Sequence, residues 1–557
     1  MDFSNYSLPK VKVPTRSLVV ADLKKDKMDG QIAACVLQGI VNRDSEEKIY
    51  VYNTKCADNG GNWQEFSKIN FPPRPTPPPK PPKGVFPWPP PERPEWKPWK
   101  RPDNWPDLQV YIADRWLPEL YSDIPQEIIT PVNDEDYPVF LALLKRYKDK
   151  VKGIIIFDHD LPDATIEAAT TIAGQTDGIV VSPELAEKIS DYGFEVIEDL
   201  RKYSFKSNPE CLKFLYENYF ANANHAVQFT WSHMDLSPKS WGAANKDYVV
   251  ANRLFTYYLD IHNRDELQYY DFILSQYPYG TPVLGWTDEL VADAYFARLG
   301  YFMIPYISVE NLTVASSFPS VKLDKPSFEK LPLEKDAVYI AFHVADGDNL
   351  LHSLVYEPHT IMTSENFGKV PATWVLNPIM ADIAPRALLW HRKKLLEAGQ
   401  EPAAMLADGY ASSEKYEGFK FYCDFVSHYM EAAGMVTMKQ MVEGEATAWN
   451  VQPEVLLGGY SGHDWRGIAY NEIHLDGNTL HIGSNSLGEE DIEGMIASAK
   501  DDEPMFISVF SGTASRDVCT RILDAANSWQ EKFPNKKIRF VLSAQIGELY
   551  KEWVNSK

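Results

Sequence analysis

Four residues in a row carry the sharpest chemical signature in the chain: Asp346, Gly347, Asp348 and Asn349. Two carboxylates one residue apart, around a glycine, suit neither face of a packed core. Like charges that close raise one pKa, so one carboxyl can stay protonated near neutral pH. Three uses fit the pattern. One is an acid/base pair, in which one carboxyl protonates a leaving group and another activates water or attacks carbon. Another is a hard-cation site, because Asp-x-Asp-Asn offers oxygen ligands. The third is a plain turn, for which Asp, Gly and Asn are well suited. Glu289, just after Trp286 and Asp288, is the candidate second carboxyl. It can equally be an acid favoured by the dipole at a helix start. His343, His463 and Asp464 are a possible transition-metal set, but no HxH or HExxH spacing supports it, so neither a metal nor a cofactor is expected. The chain has no GxSxG elbow, no GxGxxG and no Walker A motif, which removes the support for a Ser-His-Asp hydrolase or a nucleotide site.

The elements needed to position these residues are short apolar runs separated by helix-length segments. They are Pro282–Trp286, Tyr301–Tyr306, Ala337–Val344, Ala372–Leu376, Ala403–Leu406, Gly434–Thr437, Val455–Gly459, Met505–Phe510 and Ile538–Ser543. Eight or nine such strands suggest a (β/α) barrel, with a long open sheet as the other arrangement. Active sites of parallel barrels lie at the carboxyl ends of the strands. The residues that follow each run are accordingly polar: Asn349 beyond the double Asp, Asn377, Asp408 with Tyr410, and His463, Asp464 and Trp465. Trp286, Trp374, Tyr410 and Trp465 are the aromatic candidates for stacking on a sugar ring.

Upstream, Ser17–Asp22, Lys48–Tyr52, Gln109–Ala113, Gly153–Asp158 and Gly178–Ser182 read as strands, and Lys27–Arg43, Tyr137–Tyr147 and Ala164–Gly174 as helices. This alternation implies a mostly parallel sheet covered on both faces. The expected organisation is an N-terminal parallel α/β sandwich domain over residues 1–215 and a C-terminal (β/α) barrel-like domain over residues 216–557. A proline-saturated insertion occupies residues 71–107; it is expected in polyproline II form, either packed as a surface excursion or offered to a protein partner.

The charge balance is 55 basic against 78 acidic residues, a net −23. That disfavours nucleic acid and anionic lipid as partners, both of which need Lys/Arg surfaces. A neutral substrate fits better, and 13% aromatic residues suit a carbohydrate ligand as well as a large core. No run of 18 apolar residues exists, so no membrane insertion is expected. The N-terminus lacks the apolar core of a signal peptide, which leaves a cytoplasmic protein or a secreted one without its leader. Five scattered cysteines without CxxC indicate free buried thiols.

Several segments, in order, resemble the GxGYxYP family, which is linked to glycoside hydrolysis. They are Leu37–Arg43 (LQGIVNR), Ala168–Gly174 (AATTIAG), Pro282–Glu289 (PVLGWTDE), Asn311–Ser316 (NLTVAS), Asp346–Asn349 (DGDN), Val370–Pro378 (VPATWVLNP) and Ile383–Pro385 (IAP). The resemblance implies a carbohydrate-active hydrolase. The motif that gives the family its name falls at Ala407–Ser413 (ADGYASS), where Gly409 and Tyr410 remain and the first glycine and the Tyr-Pro end are replaced. A loop so altered takes a different ligand, or none. Three readings stay open: a glycoside hydrolase-like enzyme using Asp346, Asp348 and Glu289, a non-catalytic glycan-binding or assembly protein, and a metal-dependent hydrolase or deacetylase.

Overall fold

Every sheet is built almost wholly from parallel strands, as runs of Val, Ile and Leu buried on both faces require. In the computed structural model, residues 2–14, 16–52, 116–231, 246–261, 263–286, 296, 299–305, 309–345, 347, 349–405, 417–439, 453–460, 472–487, 490–513 and 517–557 are described. Strands β1 (Ser17–Asp22), β2 (Glu47–Tyr52) and β3 (Gln126–Ile128) form one sheet in the order β2-β1-β3. A second, ordered β5-β4-β6, contains β4 (Gly153–Ile156), β5 (Gly178–Val181) and β6 (Val196–Asp199). A third, ordered β10-β9-β7-β8, contains β7 (Asn224–Trp231), β8 (Leu254–Tyr258), β9 (Pro282–Trp286) and β10 (Phe302–Pro305). The expected strand Gln109–Ala113 and the proline-rich insertion lie outside the described residues. Among the described residues no helix is long and apolar enough to cross a membrane, and Cys35, Cys211, Cys423 and Cys519 are buried thiols outside any disulfide.

The helix Met28–Asp44 runs through the middle of this N-terminal half and is buried from Gly30 to Asn42. Polar side chains on such a helix must find partners, and they find backbone. Gln38 Nε2 donates to Ile49 O (3.0 Å) and Asn311 Oδ1 (2.7 Å). The Asn42 amide grips Ile49 at both its N–H and its carbonyl and donates to Thr313 Oγ1 (2.8 Å). Arg43 donates to the carbonyls of Gly174, Val250 and Ala251 and pairs with Asp177. Leu37–Arg43, Ala168–Gly174 and Asn311–Ser316 therefore meet in space, and their polar residues are fasteners between elements.

The C-terminal half is a barrel. Its strands are β11 (Ala337–Ala345), β12 (Ala372–Leu376), β13 (Glu401–Ala404), β14 (Thr437–Lys439), β15 (Val455–Tyr460), β17 (Thr479–Ser486) and β18 (Met505–Thr513). They pair in the order β12-β13-β14-β15-β17-β18-β11, and a β11–β12 pairing closes the ring into seven parallel strands. Two further strands brace it. β19 (Lys537–Phe540) pairs with the first half of β11, below the point where β12 joins, and β16 (Ile473–Asp476) forms an antiparallel hairpin with the start of β17. The expected strands Pro282–Trp286 and Tyr301–Tyr306 do not belong to this ring. They are β9 and β10, paired with each other and with β7, so the barrel begins at Ala337.

Alternation along the strands separates lumen from shell. Ala337, Tyr339 and Ala341 pack inside with Val455, Leu457, Leu480, Ile482 and Phe506, while Val338, Ile340, Phe342 and Val344 join the outer core. Glu401 lies within the wall, fully buried. It accepts hydrogen bonds from Thr373 Oγ1 on β12 (2.9 Å), from Thr437 Oγ1 on β14, and from the amide of Ala544 (3.0 Å) at the start of the helix Ser543–Asn555. A carboxylate at a helix N-terminus is favoured by the free amides there.

The N-terminal tail docks on the barrel through Asp382, which is 3% exposed. Its carboxylate accepts from Leu8 N (2.6 Å), Ser7 Oγ (3.3 Å), Ser320 Oγ (2.5 Å) and Tyr429 OH (3.0 Å), and pairs with Lys10 at 2.7 Å. Burial pushes the Asp382 pKa up, but the bonds from Lys10, Ser320 and Leu8 outweigh it and hold the group below the ordinary carboxylate value. A depressed folded pKa gives stability that is present above the unfolded value and lost as pH falls through the folded one. Asp382→Ala is expected to cost about 3 kcal/mol in urea unfolding at pH 7. The wild-type advantage should shrink as pH drops below about 4; an equal gap at pH 7 and pH 3 would contradict this account.

Candidate functional site

The Asp-Gly-Asp-Asn segment leaves β11, which is buried at all nine of its positions. Its glycine is fixed by contact: a Cβ on Gly347 would sit 1.6 Å from Val375 O and 2.5 Å from Val375 C, so β11 exits directly against the backbone of β12. Ser353 pins the same point, donating from Oγ to Gly347 O (2.7 Å), while Asn377 N approaches that Oγ at 3.5 Å. Asn349 Oδ1 accepts from Leu351 N (3.0 Å) and so starts the next helix, a role for which Asn is preferred. That helix opens into a wide π turn over His352–Ile361, with Met362 N donating to Glu357 O. Such turns recur near functional sites.

Just inside the same end, the lumen turns polar. His343, fully buried, presents Nδ1 to Ser508 Oγ (3.4 Å). Ser508 Oγ lies 3.3 Å from Ser484 Oγ, which donates to Gly458 O (3.1 Å). Lys439, 3% exposed at the end of β14, donates to the same carbonyl. The Phe510 ring is near both bases, 5.6 Å from the His343 ring and 5.6 Å from Lys439 Nζ. Burial brings the Lys439 pKa down to about 7. Burial, and then the Lys439 charge, hold His343 well below its ordinary value, so its ring is neutral.

The sequence-derived candidates fall out as follows. Asp346, Asp348, Glu289, Asp408, Tyr410, His463, Asp464 and Trp465 lie outside the described residues, as does the Ala407–Ser413 motif; for Trp286 the description covers the backbone alone. Asn349 and Asn377 are brought together through Ser353, but both are buried and their side-chain oxygens cap local backbone, Asn377 Oδ1 accepting from Ile379 N (3.1 Å). Trp374 points out of the lumen into the outer core. It is 1% exposed, its indole N–H donates to Gln400 (3.1 Å), and its ring packs edge-on to Phe367, which leaves no face for a sugar. The strand that precedes Glu289 in sequence, β9, pairs with β7 and β10 and not with the barrel strands. Among the described residues no group of three His, Cys, Asp or Glu could hold a metal.

Lys439, Ser484 and Ser508 were not foreseen. The strand expected at Gly434–Thr437 stops two residues before the lysine, whereas β14 runs Thr437–Lys439. A lysine closing an apolar strand at a lumen-facing position was the available signal.

A closed parallel barrel joined to small parallel α/β sheets, with a polar floor at the carboxyl ends of its strands, defines the class of this protein. Family models match three parts of the chain: "GxGYxYP_N second domain" at residues 151–223, "GxGYxYP third domain" at 230–317 and "GxGYxYP putative glycoside hydrolase C-terminal domain" at 336–484. Together they span more than half of the chain, which belongs to the GxGYxYP family. The whole chain is also similar to a solved structure described as "a putative hydrolase from Bacteroides thetaiotaomicron VPI-5482", at 18% identity and a TM-score of 0.70, covering 99% of this chain and 97% of that one. No curated protein matches the chain.

The contact at Gly347 yields a direct expectation. Gly347→Ala must push β11 away from β12 and should cost about 3 kcal/mol in chemical denaturation, as overpacking against backbone does. Gly494→Ala, on a helix where an added Cβ meets nothing within 4 Å, should instead be neutral or stabilising by about 0.5–1 kcal/mol.

Proposed function

We propose that the protein is a glycoside hydrolase whose reaction takes place at the carboxyl end of the barrel, with Asp346 and Asp348 as its acid/base carboxylates. The observation that carries this reading is the wedging of Gly347 against β12. A turn that needed only its own backbone would not require a glycine pressed onto the neighbouring strand. Here that contact fixes where β11 ends and where the acidic segment begins. Parallel barrels place their chemistry at this end, and the family's C-terminal domain is described in terms of glycoside hydrolysis. In this reading one aspartate protonates the glycosidic oxygen. The other acts on water or on the anomeric carbon.

Asp408 and Tyr410, which follow β13 in sequence, and His463, Asp464 and Trp465, which follow β15, are the sugar-contacting candidates, because β13 and β15 are barrel strands that end on this side. Trp286 ends β9 in the separate sheet and Glu289 follows it in sequence, so Asp346 and Asp348, next to the end of β11, are preferred as the reacting carboxylates.

The test is an oligosaccharide-hydrolysis screen run with a glycan-binding array on wild type, Asp346→Asn and Asp348→Asn. The expected outcome is cleavage of at least one glycan by wild type, reduced about 10³-fold in one or both folded variants. Binding without turnover by all three proteins would replace the hydrolase with a glycan-binding protein.

A further inference from the structure

We propose that Lys439 is a nucleophilic amine on the barrel floor that captures a small carbonyl compound, such as the open-chain aldehyde of a short sugar, as a Schiff base. This goes beyond the glycosidase reading and does not depend on it. The geometry supports it in three ways. First, an ammonium group has three N–H donors and must place them all when buried; among the described residues Lys439 has one acceptor, Gly458 O, and no carboxylate partner. That environment suits a neutral amine, which keeps a lone pair. Second, the aromatic face of Phe510 and the neutral imidazole of His343 make the surroundings apolar without supplying a counter-charge. Desolvation of this kind is how lysine nucleophiles are activated. Third, His343 holds Ser508 with Nδ1, while its buried Nε2, at the far end of a lumen-facing ring, makes no hydrogen bond.

The step balances without an external oxidant or reductant. The Nζ lone pair attacks the carbonyl carbon and a C–N bond forms. The carbonyl oxygen gains a proton, and nitrogen loses one, to give the carbinolamine. The C–O bond then breaks, the hydroxyl leaves as water with a further proton, and the imine remains. Nitrogen gives up its second proton to the departing oxygen, with His343 Nε2 as the base invoked to relay it. Of the described titratable groups, His343 is the one in electrostatic contact with the lysine; Ser484 and Ser508, from β17 and β18, carry no charge.

The experiment uses the full chain with glycolaldehyde and sodium cyanoborohydride, followed by digestion and mass-spectrometric mapping of every lysine. At pH 7 the adduct at Lys439 should form at least about tenfold faster than at exposed lysines, whose amines are almost fully protonated at that pH. Its rate should level off above pH about 7, while the exposed lysines keep accelerating towards pH 10. Lys439→Met should remove that adduct alone, and Asp346→Asn should leave it in place whatever happens to hydrolysis. Labelling confined to exposed lysines, or a Lys439 rate that tracks theirs up to pH 10, would overturn the proposal. Because the wild-type map decides the matter, a Lys439→Met protein that fails to fold would not obscure it.

Discussion

Glu401 ties three neighbouring strands and the closing helix to one carboxylate. Thr373 reaches it from β12, Thr437 from β14, and the Ala544 amide from the helix that follows β19. A ring of seven parallel strands has no edge at which to relieve misfit, and its lumen must be filled by whatever points inward. β11 and β12 pair over only Phe342–Val344 with Ala372–Trp374, because β19 occupies the lower half of β11. That seam is short, as are those of β13 with β14 and of β14 with β15. Glu401 and Thr373 lie in register on adjacent strands beside it, and Ser543 N and Oγ both bond Thr373 Oγ1. A buried carboxylate is costly unless its oxygens are fully used; here the donors come from β12, β14 and the closing helix, the elements packed around β13.

The lumen above and below that point differs in kind. Below, Tyr339, Leu457, Ile482 and Phe506 pack with Ile546 and Leu549 from the helix Ser543–Asn555, which plugs the amino end. Above, the inward positions become His343, Ser484, Ser508 and Lys439. An apolar plug at one end and a polar floor at the other give the barrel a direction. Burial lowers the pKa of both bases on that floor, because there is little solvent to hold a charge.

Much of this architecture was legible in the sequence. Ser17–Asp22, Ala372–Leu376 and Pro282–Trp286 match observed strands residue for residue, because each is a short apolar run with turn residues at its ends. Sheet membership was not legible. β9 looks like any barrel strand locally, and only its long-range partners β7 and β10 assign it elsewhere. The β16–β17 hairpin escaped because β17 carries His481 on one face and Ser484 on the other, so polar residues break the expected apolar run on both faces. Trp374 was misjudged for the opposite reason. An aromatic next to a strand exit suggests a stacking platform, but parity along β12 turns it outward while Thr373 and Val375 face in. A one-residue step flips the face of every strand side chain, and position relative to the strand end carries no such information.

The segments that carry the family resemblance divide into two physical kinds, and the division matters for what membership implies. Gln38, Asn42, Arg43, Asn311 and Thr313 spend their polar atoms on backbone and on each other. Their pattern specifies how helices and sheets fit, and any protein with this fold needs something similar whatever it does. Gly347 belongs to the other kind. Its contact with β12 fixes the strand exit that Asp346 and Asp348 flank in sequence. Similarity over the whole chain at 18% identity, with a TM-score of 0.70, is the level at which the first kind alone can carry the fold. Activity has to be argued from the second kind, and in this chain that means the end of β11 and the polar floor beneath it.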